Sequence, residues 1–159
     1  FDYPATQSAL LVSLFWVGLL AGRFGVPLLY RGARQDLVLT GFSLLATIAV
    51  LALCGLGFVT PGPVVQGVAM AMVLLSGLGC SIYYPAVITI LGRCFPHAQG
   101  QAIGFAATGG GIGAFAFPFL MSALADAWGI RAGFATYGVF SIAMTLAAIA
   151  LVRASSGKR

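Results

Sequence analysis

Three cysteines, one histidine and three carboxylates are the chain's entire stock of thiols, imidazoles and acids. Cys54, Cys80 and Cys94 lie inside or at the end of apolar stretches with no metal-type spacing. An odd count offers no disulfide framework, and free cysteines commonly behave as small buried hydrophobes. His97 stands alone in a short loop. The sequence holds no Ser/His/Asp set, no carboxylate pair and no His/Cys cluster, so bond-making catalysis, a metal centre and a cofactor are not expected.

What remains is recognition chemistry. Ser13, Trp16, Ser76, Tyr83, Tyr84, Thr89 and Thr108 place hydroxyls and aromatic rings at depth in otherwise apolar surroundings. Tyr83-Tyr84-Pro85 sets two phenols beside a helix distortion. Buried hydroxyls need partners, which neighbouring helices, a water-filled cavity or a polar ligand can supply. Trp16 is far from either end of its stretch, so an interfacial aromatic belt does not explain it. No Asp, Glu or Lys falls at mid-depth, and nothing resembles a proton-relay carboxylate. Arg23 lies about two turns inside the first stretch, close enough to snorkel to the interface. Its expected role is structural or gating, with Asp36 as the acid on the same side.

These residues are carried by five long apolar stretches, Ala5–Tyr30, Leu37–Val59, Val64–Leu91, Ala98–Trp128 and Ala132–Val152. Roughly 18 or more apolar residues in a row suffice to cross a bilayer as a helix. The chain is 60% hydrophobic and 7% charged, with a mean hydropathy of +1.05. Soluble domains carry about 25% charged residues, so a water-soluble core does not fit. The fold class is therefore an all-α integral membrane protein, a polytopic bundle of five transmembrane helices embedded in lipid. Net charge is +5, but the basic residues cap the stretches and form no stripe, which argues against nucleic acid.

Charge position adds a direction. Arg31, Arg34, Arg93, Arg153, Lys158 and Arg159 fall on one side, against Asp36. The other side holds Asp2, the uncharged Thr60-Pro61-Gly62-Pro63 turn, and Asp126 with Arg131. Lys and Arg in short loops mark the cytoplasmic side, so the N-terminus is expected outside and residues 153–159 form a cytoplasmic tail. The location is then the plasma membrane, or the inner membrane in a bacterium. Short connections, including the Pro-Gly-Pro breaker, make consecutive helices antiparallel neighbours in one membrane domain over residues 1–159. The chain opens on Phe1 directly ahead of a complete span, without Met or a signal peptide, and is expected to be a fragment.

Gly109, Gly110, Gly111 and Gly113, with Pro118, crowd the fourth stretch. Small residues let helices approach closely in lipid, and Gly with Pro permits bending. The expected role of Gly109, Gly110, Gly113 and Pro118 is helix packing or bending. Lying mid-membrane with no preceding strand, the run is not a phosphate loop.

Taken together, these residues resemble the second half of a major facilitator superfamily transporter, helices eight to twelve, over essentially the whole chain. The family's Gly-x-Leu-x-Asp-Arg-x-Gly-Arg-Arg motif corresponds to Val26–Gln35, preceded by Gly22-Arg23. Leu28, Arg31 and Arg34 match, whereas Val26 and Tyr30 replace the motif's Gly and Asp, a departure that bears on any charge-relay latch. A stronger likeness runs from Ser81-Ile82-Tyr83-Tyr84-Pro85 through Arg93-Cys94-Phe95-Pro96 and Gly100-Gln101-Ala102 to Gly110-x2-Gly113 and Pro118. Leu124-x-Asp126-x2-Gly129-x-Arg131 echoes the loop motif on the opposite face, as inverted repeats would produce.

The resemblance implies secondary transport of a small solute, such as a sugar or organic anion, by alternating access as a symporter or antiporter. It places a cavity between this half and a missing N-terminal half of the same chain. The first, third and fourth spans would line it, with Ser13, Trp16, Ser76, Tyr83, Tyr84 and Thr108 as candidates. The second and fifth would face lipid. Arg23, Arg31, Arg34 and Arg93 would form the cytoplasmic gating set. A non-transporting scaffold or sensor made from a degenerate half is the alternative, and pairing of two copies is a third.

Overall fold

The computed structural model describes residues 5–29 and 35–156, with side-chain surroundings for 8–28 and 37–154. Six helices follow one another: α1 (Ala5–Leu29), α2 (Gln35–Leu56), α3 (Pro63–Cys80), α4 (Tyr83–Cys94), α5 (Gln99–Trp128) and α6 (Ile130–Ser156). α3 and α4 together make one crossing, so five segments are long and apolar enough to span a membrane. The described residues contain no strand. α6 runs through Arg153, so the start of the expected tail is helical.

The break within the third crossing has a local cause. Pro85 has no N–H, and its ring clashes with a helical carbonyl four residues back, here that of Ser81. Within the first turn of a new helix the same ring is tolerated. The chain therefore closes α3 at Cys80 and restarts at Tyr83, with Ser81 Oγ donating to the Leu78 carbonyl at 2.6 Å. The span expected over Val64–Leu91 is thus one crossing made of two helical pieces, broken at the distortion expected beside Pro85. Gly129 alone joins α5 to α6, at φ 88° and ψ 160°, a region essentially restricted to glycine.

α3 lies between α1 and α2, α2 packs also on α6, and α5 bridges α4 and α6. Glycines set the closest approaches. A Cβ on Gly18 would collide with the Leu74 carbonyl, one on Gly77 with the Phe15 carbonyl, and one on Gly22 with Ser81 Oγ. On another face of α3, a Cβ on Gly79 would stand 2.6 Å from the Ala46 nitrogen. Gly77-x-Gly79 thus lets two helices press on α3 at once. The apolar core joins α2, α4 and α6 through Leu39, Ile90 and Ala148, with Tyr83, Ala86, Cys94, Leu151 and Val152 packed around it. Large apolar side chains such as Ile48, Val139 and Leu146 point outward, as lipid-facing positions do.

A hydroxyl seam holds α2 to α6. Thr47 Oγ1 donates to the Ser141 carbonyl at 2.8 Å, Thr145 Oγ1 donates to the Ser43 carbonyl at 3.0 Å, and the two threonine oxygens stand 2.8 Å apart. Ser43, Thr47, Ser141 and Thr145 are all buried. The second and fifth spans, expected on the lipid-facing outside, carry outward apolar side chains at Ile48, Val139 and Leu146. Their inner faces pack on each other, with the paired hydroxyls bonding across the contact.

Candidate solute-facing site

The sequence-predicted site residues divide into two groups. Ser76 and Tyr83 belong to the packed interior. Ser76 is buried and donates to the Val73 carbonyl at 2.7 Å. Tyr83 donates its hydroxyl to the Met144 carbonyl and ties α4 to α6. Ser76 is closed off by burial and Tyr83, half-buried, is engaged with α6, so within this chain neither is placed on an open wall as Ser13, Trp16, Tyr84 and Thr108 are.

Ser13, Trp16, Tyr84 and Thr108 are exposed instead. Trp16 is 56% exposed and Tyr84 57%. Trp16 rests edge-on against Phe15, with ring centroids 6.0 Å apart. Ser13 and Thr108 each donate to the carbonyl one turn back, Ala9 at 3.0 Å and Gly104 at 2.9 Å. A hydroxyl so bonded retains acceptor lone pairs, so both can receive a hydrogen bond from a solute. The adjacent Thr89, half-buried, does likewise with the Pro85 carbonyl at 2.8 Å. Ser13 and Trp16 sit on α1, which packs chiefly on α3, whereas Thr108 sits on α5. Within the described residues these positions occupy separate uncovered faces rather than one closed pocket.

α5 is the most open element. None of its 30 residues is buried. An added Cβ at Gly100, Gly104, Gly109, Gly110, Gly111 or Gly113 would meet nothing within 4 Å. Among the described residues no neighbour approaches Gly109, Gly110 or Gly113, whereas Gly18, Gly22, Gly77, Gly79 and Gly133 make close approaches. α5 continues through Pro118 as one helix. Its exposed surface is mostly apolar and glycine-rich, with the hydroxyls of Thr108 and Ser122 and the amide of Gln101 exposed on it.

Of the gating set, Arg23 is exposed beside Gly22, where α1 crosses Ser81. Arg93 is exposed in the last turn of α4. Arg31 and Arg34 lie outside the described residues. In the echo motif, Arg131 holds its guanidinium 5.4 Å from the Phe58 ring centroid, pinning the start of α6 to the end of α2.

Sequence reasoning did not single out Ser43, Thr47, Ser141 or Thr145. The usable signal was spacing: Ser43-x3-Thr47 and Ser141-x3-Thr145 each put two hydroxyls on one helix face.

Comparison with known proteins agrees with this architecture. The family model described as Major Facilitator Superfamily matches residues 1–159. Monocarboxylate transporter 9 of Gallus gallus is 27% identical over 135 residues, covering 80% of this chain and 25% of the relative. The Rattus norvegicus protein of the same name is 30% identical over 125 residues, covering 72% of this chain and 23% of the relative. The chain thus spans about a quarter of the length of these relatives, and no solved structure gives a significant match. With the family pattern met from end to end, and with five membrane-length crossings built to carry it, the chain belongs to the Major Facilitator Superfamily.

Proposed function

We propose that this chain supplies helices eight to twelve of a secondary transporter that moves a small solute across the membrane by alternating access. An N-terminal half of the same protein completes the cavity. The observation that carries this reading is α5, a 30-residue membrane-length helix with no buried residue. An element so open, in a family built from two rocking halves, calls for a second half to cover it. Tyr84 on α4, Trp16 and Ser13 on α1 and Thr108 on α5 are the side chains offered to the solute, and Arg23, with Arg31, Arg34 and Arg93, serves gating at the cytoplasmic end. The bundle sits in the plasma membrane with the end carrying Arg93 and Arg153 toward the cytoplasm.

A small monocarboxylate is the favoured solute class, since the relatives are named monocarboxylate transporters. The test is uptake by proteoliposomes containing the full-length protein, with a radiolabelled monocarboxylate and a radiolabelled sugar run side by side. Carboxylate uptake that falls on Tyr84→Ala or Trp16→Ala supports the proposal. Sugar uptake alone overturns the solute class, and no uptake of any solute favours a scaffold or sensor.

A further inference from the structure

Trp16 and Ser13 on α1 and Tyr84 on α4 are all offered to the solute, yet α1 packs chiefly on α3, and α4 chiefly on α5 and α2. The placement of Tyr84 relative to Trp16 therefore passes through the joint between α3 and α4. That joint is Ser81-Ile82, and both residues are buried, Ser81 completely.

Ser81 is held from two sides. Its Oγ donates to the Leu78 carbonyl at 2.6 Å, and its backbone N–H donates to the same oxygen at 3.2 Å. The end of α3 is thus closed by a tighter, three-residue turn, just before Pro85 denies the Ser81 carbonyl a helical donor. From the other side the joint rests on α1. A Cβ added to Gly22 would collide with Ser81 Oγ, and would stand 2.5 Å from Ser81 Cβ and 3.2 Å from Leu78 Cδ1. One turn earlier, a Cβ on Gly18 would collide with the Leu74 carbonyl and reach the Leu78 nitrogen at 3.0 Å. Gly18 and Gly22 therefore lay the backbone of α1 directly against Leu78 and Ser81, where α3 ends.

Tyr84 follows Ser81 by three residues and is the first exposed side chain after the joint. Tyr83, between them, turns to the Met144 carbonyl of α6 and sets no distance to α1. On the α1 side, Gly22 lies six residues beyond Trp16, about 9 Å along a rigid helix. A displacement at the Gly22–Ser81 contact is carried to both rings.

We infer that Ser81, seated in the notch at Gly22, is a positioning residue that fixes Tyr84 of α4 against Trp16 of α1, so that one solute meets both. Ser81 itself is closed off and touches no solute. Its effect on uptake rests on the transport function proposed above, whereas the geometry it sets does not.

The full-length protein in proteoliposomes allows two readouts. One is the distance between genetically encoded nitroxides at exposed Leu20 on α1 and exposed Phe95 at the end of α4, measured by pulsed electron resonance with the native cysteines in place. The other is the KM and maximal rate of monocarboxylate uptake. Gly22→Ala drives a methyl group into Ser81, and Ser81→Leu drives a wedge from the opposite side. Each should shift or broaden the distance and raise KM about fivefold, the size of one lost solute hydrogen bond, while the maximal rate per folded protein is kept. Gly22→Ala/Ser81→Gly returns a single Cβ to the notch and should recover KM to within about twofold of the parent, with the distance. Gly25→Ala, whose Cβ meets nothing within 4 Å, should change neither. If a wedge variant fails to fold, the swap variant carries the test through its own folding, distance and KM. Unchanged distances in both wedge variants would overturn the assignment, as would a falling maximal rate with KM unchanged, which is what lost folding alone produces. A swap variant no better than Gly22→Ala would overturn it too. A parent protein without monocarboxylate uptake sinks the proposed solute alone, and the distances then decide the role of Ser81.

Discussion

Thr47→Val and Thr145→Val, singly and together, probe the seam that holds α2 to α6. Three close oxygen contacts link the helices: Thr47 to the Ser141 carbonyl, Thr145 to the Ser43 carbonyl, and threonine to threonine at 2.8 Å. Each threonine hydroxyl has one proton, so the two can fully donate only two bonds at a time. The carbonyls are backbone acceptors one turn above each threonine's partner, and they retain their own helix bonds when a donor is lost. Valine keeps the branched shape, so each single change removes one donated bond and creates little cavity. Interhelical bonds in membrane proteins average about 0.6 kcal/mol and reach about 1.7, which sets the cost of each single variant. The double variant should lose both donated bonds, about 1 to 3 kcal/mol in all. The proton count also predicts near-additivity, with a coupling under about 0.5 kcal/mol. Reversible unfolding of the purified protein in mixed micelles, followed by tryptophan fluorescence against denaturing detergent, gives all three values. A coupling as large as a whole bond would mean that the threonine pair makes a third, independent interaction, refuting the proton count. Single variants without effect would refute the seam itself.

Gly77→Val places side-chain atoms on the Phe15 carbonyl, and since a backbone group cannot step aside, unfolding in mixed micelles should show a loss of about 1 to 3 kcal/mol. Gly110→Ala faces open space and should change the same measurement by less than about 1 kcal/mol; a large loss there would mean that α5 is covered within the chain. Gly129→Ala at φ 88° should cost about 1 to 3 kcal/mol and slow joining of α5 to α6, visible as increased proteolysis at the turn. Tyr83→Phe removes the bond to the Met144 carbonyl and should cost about 0.6 to 1.7 kcal/mol while leaving uptake in proteoliposomes intact, whereas Tyr84→Ala should do the reverse.

The crossings were legible because helices of bilayer length that carry no polar face suit lipid and little else, and Pro61-Gly62-Pro63 punctuates them unmistakably. The fold class followed from the same runs. Less legible was the division of labour among residues inside them. Hydroxyls on a Leu/Ala background read alike whether they face a cavity or bond to a neighbour, so Tyr83 and Ser76 were indistinguishable from Tyr84 and Thr108. Three-dimensional packing separates them: Tyr83 reaches an α6 carbonyl, while Tyr84, one residue on, points away. Glycine abundance misled in a similar way. The dense run on α5 drew the eye, yet the close approaches belong to scattered glycines on α1, α3 and α6, whose partners lie far away in sequence. The break before Tyr83 was half-legible, since Pro85 announced a distortion without saying that a new helix starts there.

The central proposal is that the open faces of α1, α4 and α5 each contribute to a solute path that a second half closes. Its most direct test is cysteine accessibility combined with transport in the full-length protein, with single cysteines at Trp16, Tyr84 and Thr108 and a control at lipid-facing Ile48. Modification by a membrane-impermeant thiol reagent should occur at all three wall positions, be slowed by bound solute, and block uptake, while the Ile48 position stays unreactive. Wall positions as inert as the control, or modified with no change in uptake, would contradict it.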